Sequence, residues 1–346
     1  MAIVGTIAAG TESKWGIIQA STAAALGEAA FGTQNDDADS AEMYEGPIPS
    51  VDYGVIRINN PLNDGGRVRK DTGVYYTQTG GIRQINFSDL TLRRKDLAPL
   101  LYAVCQNMDE GEADQYTKII TIDETTTQPN FAADAGFFAS IGIYDTTAAY
   151  HRIFPSCILS SLTLSADLTG DGLLKASGTW MSGFIADTTA TLSGTWAYNT
   201  QNYYDFHAPT TKQVGSADIV LFGFSVTITN GANRVGGTTA GNAETYALPE
   251  YNVTGSLTVK YDTAVQGIIA DSLAGTGRKI ELATGTAGGV GHFGFVLDEC
   301  FFDDIAKDYG DQRGQSLTLP FTADFSTGAN LAVFTLSDGV DRAWPT

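Results

Sequence analysis

Three histidines and three cysteines are the residues whose chemistry could support nucleophilic catalysis or metal binding. They are His151, His207, His292, Cys105, Cys157 and Cys300. Zinc sites, catalytic dyads and phosphate-binding loops that can be recognised in a sequence place such residues at fixed short spacings, and none of those spacings occurs here. We therefore predict no catalytic residues, no bound metal and no cofactor, and we do not expect an enzyme. An odd number of widely spaced cysteines fits no disulfide framework and indicates a reducing compartment.

The segment 167–172 is the strongest candidate for a cation-binding loop. Asp167 and Asp171 lie four residues apart beside glycines, which is similar to half of a calcium loop. A complete loop needs further oxygen ligands and a closing Glu, whereas this chain runs directly into Leu173. Because Asp171 and Gly172 form a typical hairpin dipeptide, we predict a turn here.

Two short basic runs could bind acidic surfaces. One contains Arg67, Arg69 and Lys70, and the other spans 93–95. In an acidic chain, each run could contact another copy of the same protein. An ordinary solvated face explains them equally well, because exposed ion pairs contribute only about 0 to 1 kcal/mol each.

The composition excludes several classes of protein. The chain has 346 residues and a net charge of −19, which disfavours electrostatic binding of nucleic acid. Hydrophobic residues make up 43% of the chain, so it has enough apolar side chains to form a core. No apolar run reaches the roughly 18 residues of a membrane-spanning helix, and the first ten residues lack the charged start of a signal peptide. The 39 glycines and the many aromatic residues favour strands joined by tight turns.

The elements that must position these residues are mostly strands. Alternating or β-branched runs predict strands at 55–59, 80–92, 116–122, 137–144, 153–166, 173–181, 189–198, 218–229, 253–261 and 317–325. A helix is predicted from 97 to about 106, with Asp96 as its N-cap and Pro99 in its first turn. A second short helix is predicted behind Asp262. Residues 1–50, rich in alanine and small polar residues, are predicted to form an N-terminal arm.

The order of these elements is repeated along the chain. A Thr-Gly strand followed by one short helix occurs near Thr79 and again near Thr254, and a Cys-containing strand follows each helix, at Cys157 and Cys300. We therefore predict two tandem domains. The first covers 51–198 and carries an insertion near 107–150, and the second covers 199–346.

Four stretches of the chain resemble the tail tube proteins of long-tailed bacteriophages. Residues 28–33 (EAAFGT) are similar to an N-terminal Glu-x-x-Phe-Gly-Thr signature of that family. Residues 156–179 resemble its paired strands and turn, although the family usually has a plainer glycine turn. Residues 224–230 with 251–261 resemble the core of a second domain, and 317–325 with 334–339 resemble the closing strands.

The resemblance implies a mainly β fold of two tandem β-sandwich or half-barrel domains, each with one short flanking helix. Such subunits would close into a ring barrel on oligomerisation, and the rings would stack into a hollow tube for DNA delivery into the host. Three fused chains would make a pseudo-sixfold ring, although a hexamer remains open. About 24 strands spaced about 4.8 Å apart would give a diameter of roughly 45 to 50 Å.

The family also implies partners and a location. A tape measure protein would occupy the lumen, and tail terminator and distal tail proteins would cap the tube. The protein would be made in the host cytoplasm and reside in the virion tail, without a membrane, and DNA would pass without specific binding. We expect an acidic lumen that repels phosphates, and we expect Arg67, Arg69 and Lys70 to contact the next ring. An outer-membrane porin and a carbohydrate-binding or adhesin β-sandwich are the alternatives.

Overall fold

The computed structural model describes residues 13–18, 28, 30–32, 34–35, 40–44, 47–53, 56–59, 74–77, 82–110, 117–123, 129, 131–133, 136–145, 150–187, 195–198, 201–238, 242–303, 305–307, 316–325 and 330–339. Strands dominate this part of the chain. In the first half they are β1 (Ser13–Ile18), β2 (Ser40–Met43), β3 (Ser50–Asp52), β4 (Ile56–Asn59), β5 (Val74–Thr77), β6 (Arg83–Thr91), β7 (Asp109–Glu110), β8 (Thr117–Ile122), β9 (Ala139–Asp145), β10 (Tyr150–Asp167), β11 (Lys175–Ser182) and β12 (Thr195–Tyr198).

The second half continues with β13 (Thr211–Val214), β14 (Ala217–Asp218), β15 (Leu221–Thr229), β16 (Asn233–Val235), β17 (Thr245–Ala247), β18 (Asn252–Lys260), β19 (Arg278–Thr284), β20 (Phe293–Phe302), β21 (Ala306–Lys307), β22 (Ser316–Ala323) and β23 (Ala332–Ser337). Helix α1 covers Arg94–Cys105 and helix α2 covers Thr263–Leu273. A 3-10 helix lies at Phe131–Ala133. The mainly β prediction is confirmed.

One antiparallel path of ladders runs through both halves of the chain. Its order is β3, β6, β11, β10, β15, β18, β22, β20, β23, β8 and β7. Two branches leave this path. From β10 the ladders continue through β9, β1, β2 and β12, and from β20 they continue through β19, β13 and β14.

The same ladder order occurs twice along this path. In the first half it is β3, β6, β11, β10 and β9, and in the second half it is β15, β18, β22, β20 and β19. A helix follows the second strand of each set, α1 after β6 and α2 after β18. The two sets are joined within the chain by the ladder between β10 and β15.

The cysteines of the predicted repeat occupy matching positions in the two sets. Cys157 pairs with Ala139 of β9, and the next residue along β10 pairs with β11. Cys300 likewise is the residue at which β20 changes partner, since it pairs with Arg278 of β19 and with Ala323 of β22. Both strands therefore pass from one ladder to another at a buried cysteine.

Both helices form where the apolar pattern places them, but the start of α1 differs from the prediction. Helix α1 begins at Arg94, so Asp96 is its third residue rather than its N-cap. The Asp96 carboxylate accepts a hydrogen bond from the N–H of Arg93 at 3.1 Å, which is one of the two bonds of a capping box. The Asp96 N–H donates to the backbone oxygen of Arg93 at 2.9 Å. Pro99 consequently lies inside the helix, beyond its first turn. In α2 the Asp262 carboxylate accepts from Val265 N–H at 3.2 Å, as its predicted N-cap role requires.

The first set has a longer connection after its helix than the second set. Residues 106–138 connect α1 to β9, whereas residues 274–277 connect α2 to β19. The longer connection contributes β8, which pairs with β23 at the other end of the chain. A buried ion pair accompanies this ladder, because Lys118 Nζ lies 2.8 Å from Asp338 Oδ1 and both side chains are almost inaccessible. Thr117 and Ser337 hydroxyls add a contact of 2.9 Å. This segment therefore attaches the first half of the chain to the second.

The predicted strands at 80–92, 116–122, 137–144, 153–166, 173–181, 218–229, 253–261 and 317–325 are confirmed with shifts of a few residues at their ends. The main hydrophobic core lies on one side of the path, where α1 buries Leu97, Leu100, Leu101 and Val104. Most of the N-terminal arm and the first part of the strand predicted at 189–198 lie outside the described residues.

Candidate functional surfaces

The face of the sheet opposite the core carries rows of hydroxyl side chains. One row crosses five adjacent strands and consists of Ser177, Thr163, Thr227, Thr254 and Thr322. These residues are half-buried or exposed. Thr163 and Thr227, which belong to different halves of the chain, lie 2.8 Å apart through their hydroxyl oxygens. The row therefore passes without interruption from one half to the other.

A second row runs parallel to the first. It contains Lys175, Ser165, Ser225, Ser256 and Pro320. A third row lies on the other side of the first row. In this third row, the Thr179 hydroxyl of β11 donates to Asn86 Oδ1 of β6 at 2.7 Å. Period-two alternation explains this face, since every second residue of these strands points away from the core. We call this surface the hydroxyl face, meaning the outward residues of β6, β11, β10, β15, β18 and β22.

The opposite side of the same strands is closely packed, and it fixes the register of the rows. Gly255 on β18 lies opposite Phe321 of β22, and a methyl group added at this glycine would meet Ser225 O at 2.2 Å and Phe321 Cζ at 2.5 Å. Gly178 on β11 is similarly covered by the ring of Phe87. An aromatic ring that covers a strand glycine requires one particular register.

Charged residues of the hydroxyl face collect at one end of the sheet. Asp167, Asp171 and Lys175 lie at the turn between β10 and β11, and the Lys175 ammonium is 2.8 Å from Asp171. Hydrogen bonds from Thr169 lower the pKa of Asp167, and the hydrogen bond from Lys175 lowers that of Asp171. A groove of about 710 Å³ begins here, and its lining includes Ser165, Ser225 and Ser256 of the second row.

The segment 167–172 is the predicted turn and not a cation loop. Asp167 Oδ1 accepts hydrogen bonds from Thr169 N–H at 2.9 Å and from Gly170 N–H at 3.2 Å, so its oxygen is used by its own turn. Gly172 has a φ of +64°, a conformation that favours glycine. Within the described residues, no group of three metal-ligating side chains converges anywhere.

The described side chains among the histidines and cysteines singled out by the sequence do not come together in one site. Cys105, Cys157 and Cys300 are buried and free, and burial raises the pKa of each thiol. Buried thiols with a raised pKa are poor nucleophiles. His207 is exposed and contacts Asp205 Oδ1 at 3.0 Å, whereas His292 is buried and its Nδ1 lies 3.1 Å from Thr284 O. The side chain of His151 lies outside the described residues.

A buried carboxyl group attaches the predicted signature at 28–33 to the sheet. Glu28 accepts hydrogen bonds from the Ser140 hydroxyl at 2.5 Å, from the Ser156 hydroxyl at 2.5 Å and from the Ser156 N–H at 2.7 Å. Its own N–H donates to Phe138 O at 3.0 Å. Burial raises the pKa of Glu28 to about 7, although the hydrogen bonds from Ser140 and Ser156 lower it. Gly32 N–H adds a bond of 2.7 Å to the Ser156 hydroxyl.

The aromatic residue of the same signature enters a second, smaller core. The Phe31 ring lies 5.1 Å from Phe184 and 5.4 Å from Tyr246 between ring centroids, in edge-to-face contacts. The Tyr246 hydroxyl donates to Ser156 O at 2.7 Å and accepts from Gly183 N–H at 2.7 Å. The signature thus connects β10 of the first set with β17, a strand in the second half of the chain that lies outside both sets. Sequence reasoning identified Glu28 and Phe31 only through the family resemblance, and it did not identify Phe184 or Tyr246.

The candidate ring-stacking residues Arg67, Arg69 and Lys70 lie outside the described residues. The other basic run lies at the start of α1, where the Arg93 guanidinium stacks 4.9 Å from the centre of the Tyr203 ring. No helix in the described part of the chain combines the length and the apolar character that crossing a membrane requires.

The model of one protein family, described as phage tail tube protein, matches residues 18–323. The matched region covers nearly the whole chain and includes both sets of ladders. The chain belongs to the phage tail tube protein family. No curated protein sequence matches the chain.

Membership of the phage tail tube family places the protein in the virion tail as a structural subunit. It also implies self-assembly into a tube and contacts with other tail components. The family match supports this interpretation over the porin and adhesin alternatives.

Proposed function

We propose that this tail tube protein polymerises as stacked rings into a hollow conduit for DNA delivery, and that its hydroxyl face lines the conduit. The observation that carries the proposal is the row of hydroxyl side chains that crosses from β11 to β22 through both halves of the chain. A single chain already presents a continuous segment of such a wall, because the ladder between β10 and β15 joins its two sets of strands.

The ring is built from three chains, each with an arm at 1–50 and tube domains at 51–198 and 199–346. The repeated ladder order supports this division. Each domain lends four strands to the wall, which are β3, β6, β11 and β10 in the first and β15, β18, β22 and the end of β20 with β21 in the second. Three chains then supply about 24 strands and a backbone diameter of roughly 45 to 50 Å.

The chemistry of the hydroxyl face suits a passage for DNA. Fixed Lys and Arg side chains would hold phosphates and slow the duplex, whereas serine and threonine hydroxyls carry no charge. The few charged groups of this face include both signs, such as Asp167 and Lys175, and lie at one end of the sheet. The wall therefore carries few charges along the hydroxyl face, and β3 adds the exposed carboxylate of Asp52. It is sparsely charged rather than densely acidic as composition alone suggested. DNA passes through without specific binding.

The partners follow from the tube. A tape measure protein occupies the lumen during assembly, and tail terminator and distal tail proteins bind the two ends. The protein is not an enzyme. This part of the proposal rests on the structural role of the family. The free thiols are buried and serve packing.

Ring stacking involves the basic residues Arg67, Arg69 and Lys70. Reversal of all three to Glu is expected to shorten or abolish tubes, because the charge that meets an acidic neighbouring ring changes sign. The measurement is tube length by electron microscopy, with circular dichroism to verify folding. The charge-conserving variant Arg67→Lys with Arg69→Lys is the control and should form normal tubes. Normal tubes from the triple Glu variant would contradict the role of these residues.

Electron microscopy of the purified, untagged protein, with the particle mass measured on the same sample, tests the whole proposal. Hollow tubes or rings in units of three chains are expected. Units of six chains would keep the tube function but remove the pseudo-sixfold arrangement. Compact monomers at every concentration, even after addition of preformed tube fragments, would contradict self-assembly.

A further inference from the structure

The joint inside the chain is the ladder between β10 and β15. At the two ends of the wall, β21 and β3 occupy the positions equivalent to β10 and β15. From this geometry we infer that β21 of one chain pairs with β3 of the next, in the register of the β10–β15 ladder. The inference rests on the proposed ring and identifies the surface by which a second copy of this chain binds.

The position of β21 follows from the ladder on its inner side. Trp180 of β11 pairs with Leu159, just beyond Cys157, and Phe321 of β22 pairs with Phe302, just beyond Cys300. Trp180 and Phe321 are therefore equivalent.

Counting back three residues from this aromatic pair gives Ser177 in β11 and Thr318 in β22. Ser177 pairs with Thr163 of β10, and Thr318 pairs with Ala306 of β21. Ala306 thus occupies the position of Thr163. In the described residues, β21 pairs with β22. The edge of β21 that makes this ladder corresponds to the edge of β10 that pairs with β11.

The position of β3 follows by the same count in the opposite direction. One residue after the aromatic pair lie Met181 and Thr322, which pair with Gln84 of β6 and Thr254 of β18. Gln84 and Thr254 are therefore equivalent.

The outer neighbours of these two residues complete the comparison. Thr254 pairs with Thr227 of β15, and Gln84 pairs with Asp52 of β3. Asp52 thus occupies the position of Thr227. Among the described residues, β3 is the first strand of the ladder path, as β15 is the first strand of its own set.

The joint inside the chain now supplies the register of the joint between chains. Thr163 lies opposite Thr227, so Ala306 of one chain lies opposite Asp52 of the next, in an antiparallel pair. One residue further, Leu164 lies opposite Val226, and the equivalent pair is Lys307 opposite Val51. An edge paired in this way is removed from solvent, which explains how a ring closes without exposed strand edges.

The test introduces cysteine pairs and oxidises assembled tubes with copper phenanthroline. In Asp52→Cys with Ala306→Cys, we expect disulfides between neighbouring chains, so that the monomer band on a non-reducing gel is lost and a ladder up to the closed ring replaces it. Thr163→Cys with Thr227→Cys is the matched control, whose disulfide forms within one chain and leaves the monomer mass unchanged. Asp52→Cys with Lys307→Cys places the two thiols on opposite faces of the sheet and should not cross-link. The native cysteines are buried and free.

The outcomes separate this joint from the proposed function. The Asp52→Cys and Ala306→Cys variant could form tubes whose chains still run as monomers on the gel, while the control pair oxidises. That result would overturn the joint and leave the tube intact. If that variant does not grow tubes, hydrogen exchange of unsubstituted tubes decides the question. Protection of β3 and β21 amides on assembly is expected, and unchanged exchange of both would overturn the joint. An unsubstituted chain that never polymerises would refute the tube and the joint together.

Discussion

Replacement of Glu28 by Gln should remove a pH dependence of stability that the buried carboxyl group creates. In the unfolded chain this carboxyl has its ordinary pKa of 4.5, and in the folded chain burial raises the pKa to about 7. The folded state therefore binds a proton more tightly than the unfolded state, so the contribution of this group to stability is present below pH 4.5 and is lost as the pH rises to 7. A pKa difference of this size corresponds to roughly 3 kcal/mol.

The variant Glu28→Gln keeps a side-chain oxygen that can accept from the Ser156 N–H, which now donates to Glu28 at 2.7 Å. It cannot ionise, so its stability should be less sensitive to pH between 4.5 and 7. We compare the free energy of unfolding of the variant with that of the natural protein at each pH. This difference should favour the variant by roughly 3 kcal/mol more at pH 8 than at pH 4.5, which corresponds to roughly 4 °C in Tm for a chain of this length.

The assay is thermal and urea unfolding of the natural protein and the variant at several pH values from 4.5 to 8, under conditions that keep the chains unassembled. The difference between the two proteins cancels the titration of other groups, including the exposed His207. Ser140→Ala serves as a control, because it removes one hydrogen bond to Glu28 and leaves the carboxyl group buried and titratable. A difference between the natural protein and Glu28→Gln that stays constant across this pH range would refute the reasoning.

Three further predictions concern the core, the sheet and the conduit. Lys118→Met should destabilise the chain by about 3 to 5 kcal/mol in urea unfolding, because it leaves the buried carboxylate of Asp338 without its ammonium partner. Adding Asp338→Leu should restore most of this loss, and a double variant as unstable as the single variant would contradict the prediction. Gly255→Ala should lower Tm since the new methyl group would meet a backbone oxygen at 2.2 Å, whereas Gly267→Ala on α2, with open space around it, should raise Tm slightly. Tubes of Thr227→Arg should retain DNA at low salt while tubes of Thr227→Gln release it, and equal release would argue against the hydroxyl face as the lining.

Much of the fold could be predicted from local pattern. Several strands of the main path alternate, so their period was visible in segments such as 253–261 and 317–325. The two-copy order was visible because Cys157 and Cys300 follow matching strands. The start of α1 was misjudged, since Asp96 accepts the N–H of Arg93 from the third helical position, whereas an N-cap residue would lie just outside the helix.

Other features depend on long-range contacts that local pattern does not contain. The pairing of β8 with β23 joins residues more than 200 positions apart, and Lys118 looks like an ordinary surface lysine in the sequence although its ammonium is buried against Asp338. The rows of the hydroxyl face were present as alternating Ser and Thr in each strand. Their alignment into continuous rows depends on the register between strands, which cross-strand packing sets.

The strand β8 and its surrounding segment occur in one of the two sets only, and this gives the proposed ring two different symmetries. Seen from the axis, six similar groups of four strands follow one another, so an object in the lumen meets nearly the same surface every 60°. Any feature built from residues 106–138 is instead repeated every 120°. Three copies of a protein that docks on this segment could bind around each ring. DNA in the lumen would instead meet a wall with approximate sixfold symmetry. If the two sets are duplicated domains, as proposed, the outer side of the wall can diverge while the lining stays uniform.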